Sequence, residues 1–292
     1  MARLQDDVAP APLAVIEAVL AREWSADARA SIVLDPEPLA AASVAQVHAA
    51  TLADGTRVAV KVQRPTARGQ IERDLVLMGA VARALDLHPD LGLLSLPGAV
   101  ENFGRALHDQ LDFTKEADNN RRFARNFRRE KKVRVPALVE ALCTEHVLVM
   151  DLVVGVKGTE PERVGHGRSE LAERGGRAIL KMVFEDGFVH ADLHPGNIML
   201  EEGGTMTFLD LGLVAEIPRD LIRPWVDTFS ALAKRDGKWA ARLFYEHAPA
   251  VGTRDYAEYE RDVESFLSRH WDRRLGDVEV SEVAFGMMNV LR

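Results

Sequence analysis

Cysteine is nearly absent. Cys143 is the only one among 292 residues, which excludes an internal disulfide and any metal site built from cysteines. It stands close to the apolar run Val147-Leu148-Val149-Met150, where a buried, inert thiol is favoured over a reactive one. Long hydrophobic runs are missing too, since no window of about 18 uninterrupted apolar residues exists to form a transmembrane helix. The opening residues Met1-Ala2-Arg3-Leu4-Gln5-Asp6-Asp7 hold no apolar core and do not read as a signal peptide. A basic excess is lacking: the formal net charge is −8, so nucleic acid is not expected as the main partner. Nothing repeats. The remainder is ordinary for a globular chain, with 47% hydrophobic and 28% charged residues, enough to bury one two-lobed domain or two small ones.

Two stretches organise the rest. The first is Val189-His190-Ala191-Asp192-Leu193-His194-Pro195-Gly196-Asn197-Ile198; the second is Phe208-Leu209-Asp210-Leu211-Gly212. An Asp, an Asn five residues on, and an Asp-Leu-Gly behind an apolar run form the layout of a protein-kinase-like phosphoryl-transfer site. A triphosphate carries several negative charges, and its reaction is governed by positioning and charge neutralisation. Hard oxygen ligands from two loops meet that need, because Mg²⁺ prefers carboxylate, amide and water oxygens.

Taken in order, residues 1–31 read as helix, with Leu13, Ile16, Val19 and Leu20 at helical spacing. Asp35-Pro36-Glu37-Pro38 breaks that pattern. A β-hairpin follows, with Val44, Gln46 and the positions after them as one arm, Asp54-Gly55 as the turn and residues 57–63 as the return. Lys61 in Val-Ala-Val-Lys-Val either points to solvent from an edge strand or meets something anionic, and the acidic loops downstream favour the second. Residues 70–87 are an amphipathic helix closed by Pro89 and Gly92, and Pro97-Gly98 marks another break. A long helical pattern runs from Val100 to about Phe127 and carries Glu116, which either pairs with Lys61 or is solvated. The basic run from Arg121 to Arg134 reads as a solvated helix end or as a docking face for anionic lipid head groups or an acidic partner. Residues 133–136 and 147–151 read as strands. Residues 158–170 are a surface loop, a helix runs from about Ser169 to Asp186, and three helices over 219–235, 238–247 and 256–271 follow, with Trp225, Phe229, Leu232, Trp239, Leu243 and Phe244 expected in the core.

Several of these pieces resemble the UbiB/AarF family of atypical kinases: the run from Pro38 to His48, Val58-Ala59-Val60-Lys61-Val62-Gln63-Arg64-Pro65, Leu111-Asp112-Phe113-Thr114-Lys115-Glu116-Ala117, and the two acidic stretches. The resemblance implies an α+β, two-lobed protein-kinase-like fold. Residues 1–153 would form an N-terminal helix and an N-lobe with an antiparallel sheet and inserted helices; residues 154–292 would form a helical C-lobe. It implies ATP or ADP with Mg²⁺ as cofactors. Lys61 would contact phosphate, Glu116 would pair with it, Asp192 would be the catalytic base, and Asn197 and Asp210 the metal ligands. Ala40, Ala41, Ala42 and Ser43 would form an alanine-rich loop over the phosphates, where ordinary protein kinases carry glycines; Cβ atoms there discourage positive φ and stiffen the loop. Asp151 and Val153 would offer a hinge to adenine. His194 stands where ordinary protein kinases place a lysine, and a neutral imidazole would supply less charge there.

Two departures accompany the resemblance. The chain begins after the point where family members carry a Lys-x-Gly-Gln helix, and the Glu of the family's Glu-x-Asp pair is Gln110 here. The C-terminal part also looks cut short at Arg292. The expected function is Mg-ATP binding with slow hydrolysis or phosphoryl transfer that supports isoprenoid-quinone or related lipid metabolism. Expected partners are a nucleotide, quinone precursors, anionic lipid head groups or quinone-biosynthesis proteins. The expected address is the cytoplasm of a bacterium, with peripheral attachment at the inner face of the membrane as an extension. No Ala-Pro-Glu segment follows Asp210-Leu211-Gly212, which speaks against a peptide platform and protein-kinase activity. Two rivals remain. His190 to Asn197 also fits a small-molecule phosphotransferase of aminoglycoside or choline type, and a non-catalytic, nucleotide-gated scaffold would need the same residues.

Overall fold

The chain first lays down two short helices, α1 (Leu13–Glu23) and α2 (Ala26–Ala30), then three antiparallel strands, β1 (Ile32–Ala41), β2 (Ala45–Leu52) and β3 (Arg57–Gln63). These belong to a computed structural model that describes residues 9–86, 95–165, 167–247 and 255–271. Alternation along β3 sets up everything around it. Val58, Val60 and Val62 face one side, where Ile16, Val19 and Leu20 of α1 cover them in a fully buried cluster. Ala59, Lys61 and Gln63 face the other side, which the period of two in a strand requires. Each aliphatic side chain sealed in that cluster contributes about 1.5–3 kcal/mol relative to exposure.

Next come α3 (Ala67–Asp86), α4 (Leu96–Gln110), α5 (Phe113–Phe127), β4 (Val133–Arg134) and β5 (Val147–Asp151). β5 pairs with β3, giving a four-stranded sheet in the order β1-β2-β3-β5. α5 lies against the Lys61 side of that sheet, packing Phe113 and Ala117 on Ala59, Leu148 and Met150. A second, smaller sheet holds the loops of interest. After β6 (Val156–Lys157), α6 (Arg168–Lys181) and β7 (Phe188–His190), the hairpin of β8 (Ile198–Leu200) and β9 (Met206–Phe208) pairs with β6 on one edge and β4 on the other. β10 (Val214–Glu216) leads to α7 (Arg219–Ala233), α8 (Gly237–His247) and α9 (Tyr256–Ser268).

Packing divides the chain into two units. The first holds the described residues up to Ile179 together with His190–Ala215; the second holds Leu180–Val189 and the described residues from Glu216 on. The second unit is helical, with Ala231, Ala240 and Leu243 in one buried cluster and Ala241, Tyr259 and Val263 in another. This division by packing differs from the 1–153 and 154–292 lobes expected from the motifs, because the two acidic loops pack with the first sheet's unit. Among the described residues no helix is long and apolar enough to cross a membrane.

Several expectations are corrected. The helix expected over 1–31 is two helices separated at Trp24 and Ser25, where the Ser25 hydroxyl caps α2 by accepting from the Ala28 N–H; residues 1–8 lie outside the described set. Pro36 and Pro38 do not break the chain but sit inside β1. They are tolerated because β1 is an edge strand with register shifts at Pro38, where no ladder N–H is needed. Ala40 and Ala41 therefore end a strand, and the loop itself is Ala42-Ser43-Val44. Pro97-Gly98 opens α4 rather than marking a break, proline being suited to the first turn. The single helix expected from Val100 to Phe127 is two, because Asp112 caps α5 by accepting from the Thr114 N–H. The helix expected to reach Asp186 ends at Lys181 and passes into a π-turn over Met182–Asp186. Trp225 and Phe229, expected in the core, are 43% and 55% exposed. The closure assigned to Pro89 and Gly92 lies outside the described residues.

Candidate active site

Strand alternation puts Lys61 on the α5 side of the sheet, and helical spacing puts Glu116 on the buried face of α5 with Phe113, Asn120 and Phe123. The two meet. The Lys61 ammonium donates to both Glu116 carboxylate oxygens at 2.8 and 3.0 Å, and to Asp210 Oδ1 at 2.9 Å. It also sits 5.3 Å from the centre of the Phe113 ring, a favourable cation–π placement. The Lys61 and Glu116 side chains are only 12% and 5% exposed, whereas that of Asp210 is 52% exposed. Burial disfavours the charge on Lys61, but the carboxylates of Asp210 and Glu116 outweigh it and hold the ammonium above the ordinary lysine range. Burial, with Asp210 adding to it, lifts the Glu116 carboxyl above its usual range in spite of Lys61. Asp210 is shifted the other way, its acidity strengthened chiefly by the charge of Lys61.

The β8–β9 hairpin explains why Asn197 and Asp210 approach each other. Asn197 immediately precedes β8, Asp210 lies two residues beyond β9, and the Leu209 N–H donates to the Asn197 carbonyl at 2.8 Å. Two residues distant in order thus flank the open end of one hairpin. The Asn197 amide group donates to the Asp192 carbonyl at 3.1 Å, which leaves its side-chain oxygen free to face a cation. Asp210 has φ 50°, a left-handed conformation that costs roughly 1–2 kcal/mol outside glycine, less for Asp. Gly212 lies close beside it: a Cβ there would be 3.4 Å from both Asp210 Oδ1 and Glu116 Oε2, a contact those side chains could accommodate.

His190 was not singled out as a site residue, yet it joins the two loops. It is 3% exposed, its Nδ1 accepts from the Asp192 N–H at 3.2 Å, and its Nε2 lies 3.1 Å from the Leu209 carbonyl and donates to it. Burial holds it below the ordinary histidine range, hence neutral at pH 7. The His-x-Asp spacing behind an apolar pair was the available signal. His194 caps the turn Pro195–Asn197 by accepting from the Gly196 N–H at Nδ1, and its Nε2 lies 3.9 Å from Asp192 Oδ2. With Nδ1 an acceptor, Nε2 carries the proton and faces Asp192.

Lys61, Glu116 and Asp210 are therefore joined by their side chains, and the loop of Asp192, His194 and Asn197 is tied to them through Leu209, the residue before Asp210. The alanine loop is tied in differently: the Ala42 N–H donates to the Ala45 carbonyl, and the Arg64 guanidinium donates to the carbonyls of Ala42 and Ala9, each at 3.2 Å. At the proposed hinge the Asp151 N–H donates to Ala137 and the Leu152 N–H to Arg57; Val153 is half-buried. The basic run is partly consumed internally, Arg121 by Asp118 and Glu140, Arg134 by Glu201 and Lys132 by the Gly203 carbonyl. The Cys143 thiol donates to the Val139 and Val149 carbonyls, and burial raises its pKa.

The donor set suits magnesium. Among the described residues no group of three or more His, Cys, Asp or Glu side chains could hold a metal, so a preformed cage for a transition metal is not what Asp210 and Asn197 offer. One carboxylate and one amide oxygen, completed by phosphate and water, is the way Mg²⁺ is usually bound.

A family model for the ABC1 atypical kinase-like domain matches residues 3–244. Among curated relatives, the probable protein kinase UbiB of Aliivibrio fischeri is 30% identical over 308 residues, covering 100% of this chain and 56% of that protein. The same-named protein of Aeromonas hydrophila is 33% identical over 267 residues, covering 88% and 49%; that of Pseudomonas fluorescens is 32% identical over 301 residues, covering 99% and 56%. The chain spans about half the length of these relatives. Among solved structures, Rv3197 of Mycobacterium tuberculosis in complex with erythromycin matches with a TM-score of 0.65 at 25% identity, over 97% of this chain and 79% of that one. The mixed α+β architecture with an antiparallel first sheet is thus of the kinase-like class.

Proposed function

Because the chain belongs to the ABC1 atypical kinase-like family, we propose that it binds Mg-ATP or Mg-ADP at the Lys61 site and turns ATP over slowly, by hydrolysis or phosphoryl transfer, in support of isoprenoid-quinone or related lipid metabolism. The observation that carries this reading is the shared ammonium: Lys61 is held at under 3.1 Å by a buried helix carboxylate and by the half-exposed Asp210. A charge placed so deep is stable only among anions, and one of its two partners is open enough to be exchanged for a phosphate.

In this reading Glu116 fixes Lys61, and Lys61 takes the nucleotide phosphates. Asn197 and Asp210 hold the magnesium ion, which supplies charge neutralisation on the phosphate oxygens when bound. Asp192 accepts the proton of the attacking hydroxyl or water, with the His194 imidazole 3.9 Å from its carboxylate. Lys61 keeps Asp210 pointing inward. The names of the curated relatives support phosphotransfer as the reaction class, and the missing Ala-Pro-Glu segment favours a small molecule or water over a peptide as acceptor.

Thermal unfolding with and without ADP and Mg²⁺ tests the site. A ligand at 100 times its Kd stabilises the folded chain by about 2.7 kcal/mol, and Asp210→Asn is expected to remove most of that gain. Equal shifts in both proteins would defeat the metal assignment. Quinone intermediates in a deletion strain test the biological half, and unchanged pools would remove it.

A further inference from the structure

The loop that carries Asp210 has almost no secondary structure of its own, yet the backbone on both sides of it is tied down. On one side the Leu209 carbonyl is held by His190 and the Leu209 N–H by the Asn197 carbonyl. On the other side α5 grips Leu211 through Asn119. The Asn119 side-chain amide donates to the Leu211 carbonyl at 2.8 Å. Glu116 and Asn119 are three residues apart and so share one face of the helix. Leu211 itself is 2% exposed, so its side chain is anchored while its peptide is clamped. The residue immediately before this clamp is Asp210, at φ 50°. A left-handed aspartate persists only where the surroundings over-determine it.

We propose that Asn119 is a positioning residue that holds the Leu211 peptide so that Asp210 keeps its left-handed conformation and presents its carboxylate for magnesium. Lys61 pulls Asp210 Oδ1 inward, and Asn119 fixes the Leu211–Gly212 peptide one residue on, so the backbone on the C-terminal side of Asp210 is restrained and the carboxylate has few orientations available. Without the amide, the Leu211 carbonyl loses its donor, and the peptide can rotate as Asp210 relaxes to negative φ. The neighbouring Asn120 provides an internal comparison. It makes the same kind of bond, amide to carbonyl, at 3.0 Å, but to Pro136, away from the metal loop.

The inference rests on the reading of the site as one for magnesium and a nucleotide, and the experiment separates the two. ADP binding is measured by calorimetry at several fixed Mg²⁺ concentrations and in EDTA, for the wild type, Asn119→Ala, Asn119→Gln and Asn120→Ala. Loss of one positioning hydrogen bond should raise the Mg²⁺ needed for half-maximal enhancement of ADP affinity about tenfold in Asn119→Ala. Affinity in EDTA should stay unchanged, because Lys61 is untouched. Asn119→Gln, which keeps an amide donor, should recover part of the loss; Asn120→Ala should keep the wild-type Mg²⁺ dependence whatever it does to the unfolding temperature. Equal Mg²⁺ dependence in wild type and Asn119→Ala would overturn the role of Asn119 and leave the nucleotide site standing. Absence of any Mg²⁺ effect in the wild type would overturn both. Should Asn119→Ala not fold, the comparison of Asn119→Gln with the wild type decides: a smaller shift of the same sign supports the clamp, and none refutes it.

Discussion

Replacing Lys61 by Met should cost the fold far more than an exposed lysine would, and the cost should depend on a second residue. At 3 Å and an effective dielectric of about 20, one ammonium–carboxylate pair is worth roughly 5 kcal/mol before desolvation. Asp210, at 52% side-chain exposure, is screened and keeps little of that; Glu116, at 5%, keeps most. Lys61→Met therefore strands a buried carboxylate, and breaking such a pair from one side costs about 3–5 kcal/mol. The penalty has a pH signature. Glu116 already stands above the ordinary range, and without Lys61 it rises further. The folded variant then binds a proton that the unfolded chain releases, so its stability falls as pH rises through the unfolded Glu range and recovers as pH drops below it. Adding Glu116→Leu removes the stranded charge, and the double variant should regain most of the loss, while nucleotide binding stays abolished. Urea unfolding at pH 7 and pH 5 for wild type, both single variants and the double variant measures all of this. A Lys61→Met protein as stable as wild type at pH 7, or a double variant no better than the single, would refute the triad as a buried electrostatic unit.

Arg64→Ala removes the donors that tie the Ala42 and Ala9 carbonyls together. Since these contacts lie at the surface, the urea midpoint should barely move, whereas ADP affinity should fall about threefold as the loop tip loosens; an unchanged affinity would remove Arg64 from the loop's support. His190 supplies a second pH dependence. Burial lowers its pKa, so below about pH 6.5 the unfolded chain takes up a proton that the folded chain refuses, and stability falls with pH. His190→Gln can still donate to Leu209 and should flatten that slope between pH 6.5 and 5; an identical slope would assign the acid loss to other groups.

Periodicity made the Lys61 hairpin, the pairing helix and the last three helices readable in advance, because each carries its own local pattern. The proline-bearing β1 was not readable, since its conformation is decided by its place at the sheet edge, which only the partner strand reveals. Likewise Asp112 as a helix cap is indistinguishable in sequence from another polar residue in a helical run. Lys61 and Glu116 were matched across 55 residues because a buried lysine has few acceptable partners. Asn119 gave no such signal. Its function lies in a backbone carbonyl 92 residues away, and an amide on a helix surface is ordinarily just solvated. Trp225 and Phe229 misled in the opposite direction: helical spacing identifies a face but not whether anything covers it.

On the proposed reading, charge decides what enters this site. One lysine stands against the carboxyl groups of Glu116, Asp192 and Asp210, and the chain as a whole is acidic. A bare triphosphate approaching that group meets net repulsion, which Lys61 alone does not offset, because it is already engaged twice. A divalent ion alone fares no better, since Asp210, the carboxylate it needs, is occupied by the ammonium. Each ligand therefore lowers the cost of the other. A phosphate would replace Asp210 at the Lys61 ammonium, and the freed carboxylate would then be open to hold a metal that neutralises the phosphate. Reciprocity follows from linkage, whichever ligand arrives first. The buried Glu116 makes the exchange workable by holding Lys61 in place during the transfer, so that what moves is a partner and not the side chain.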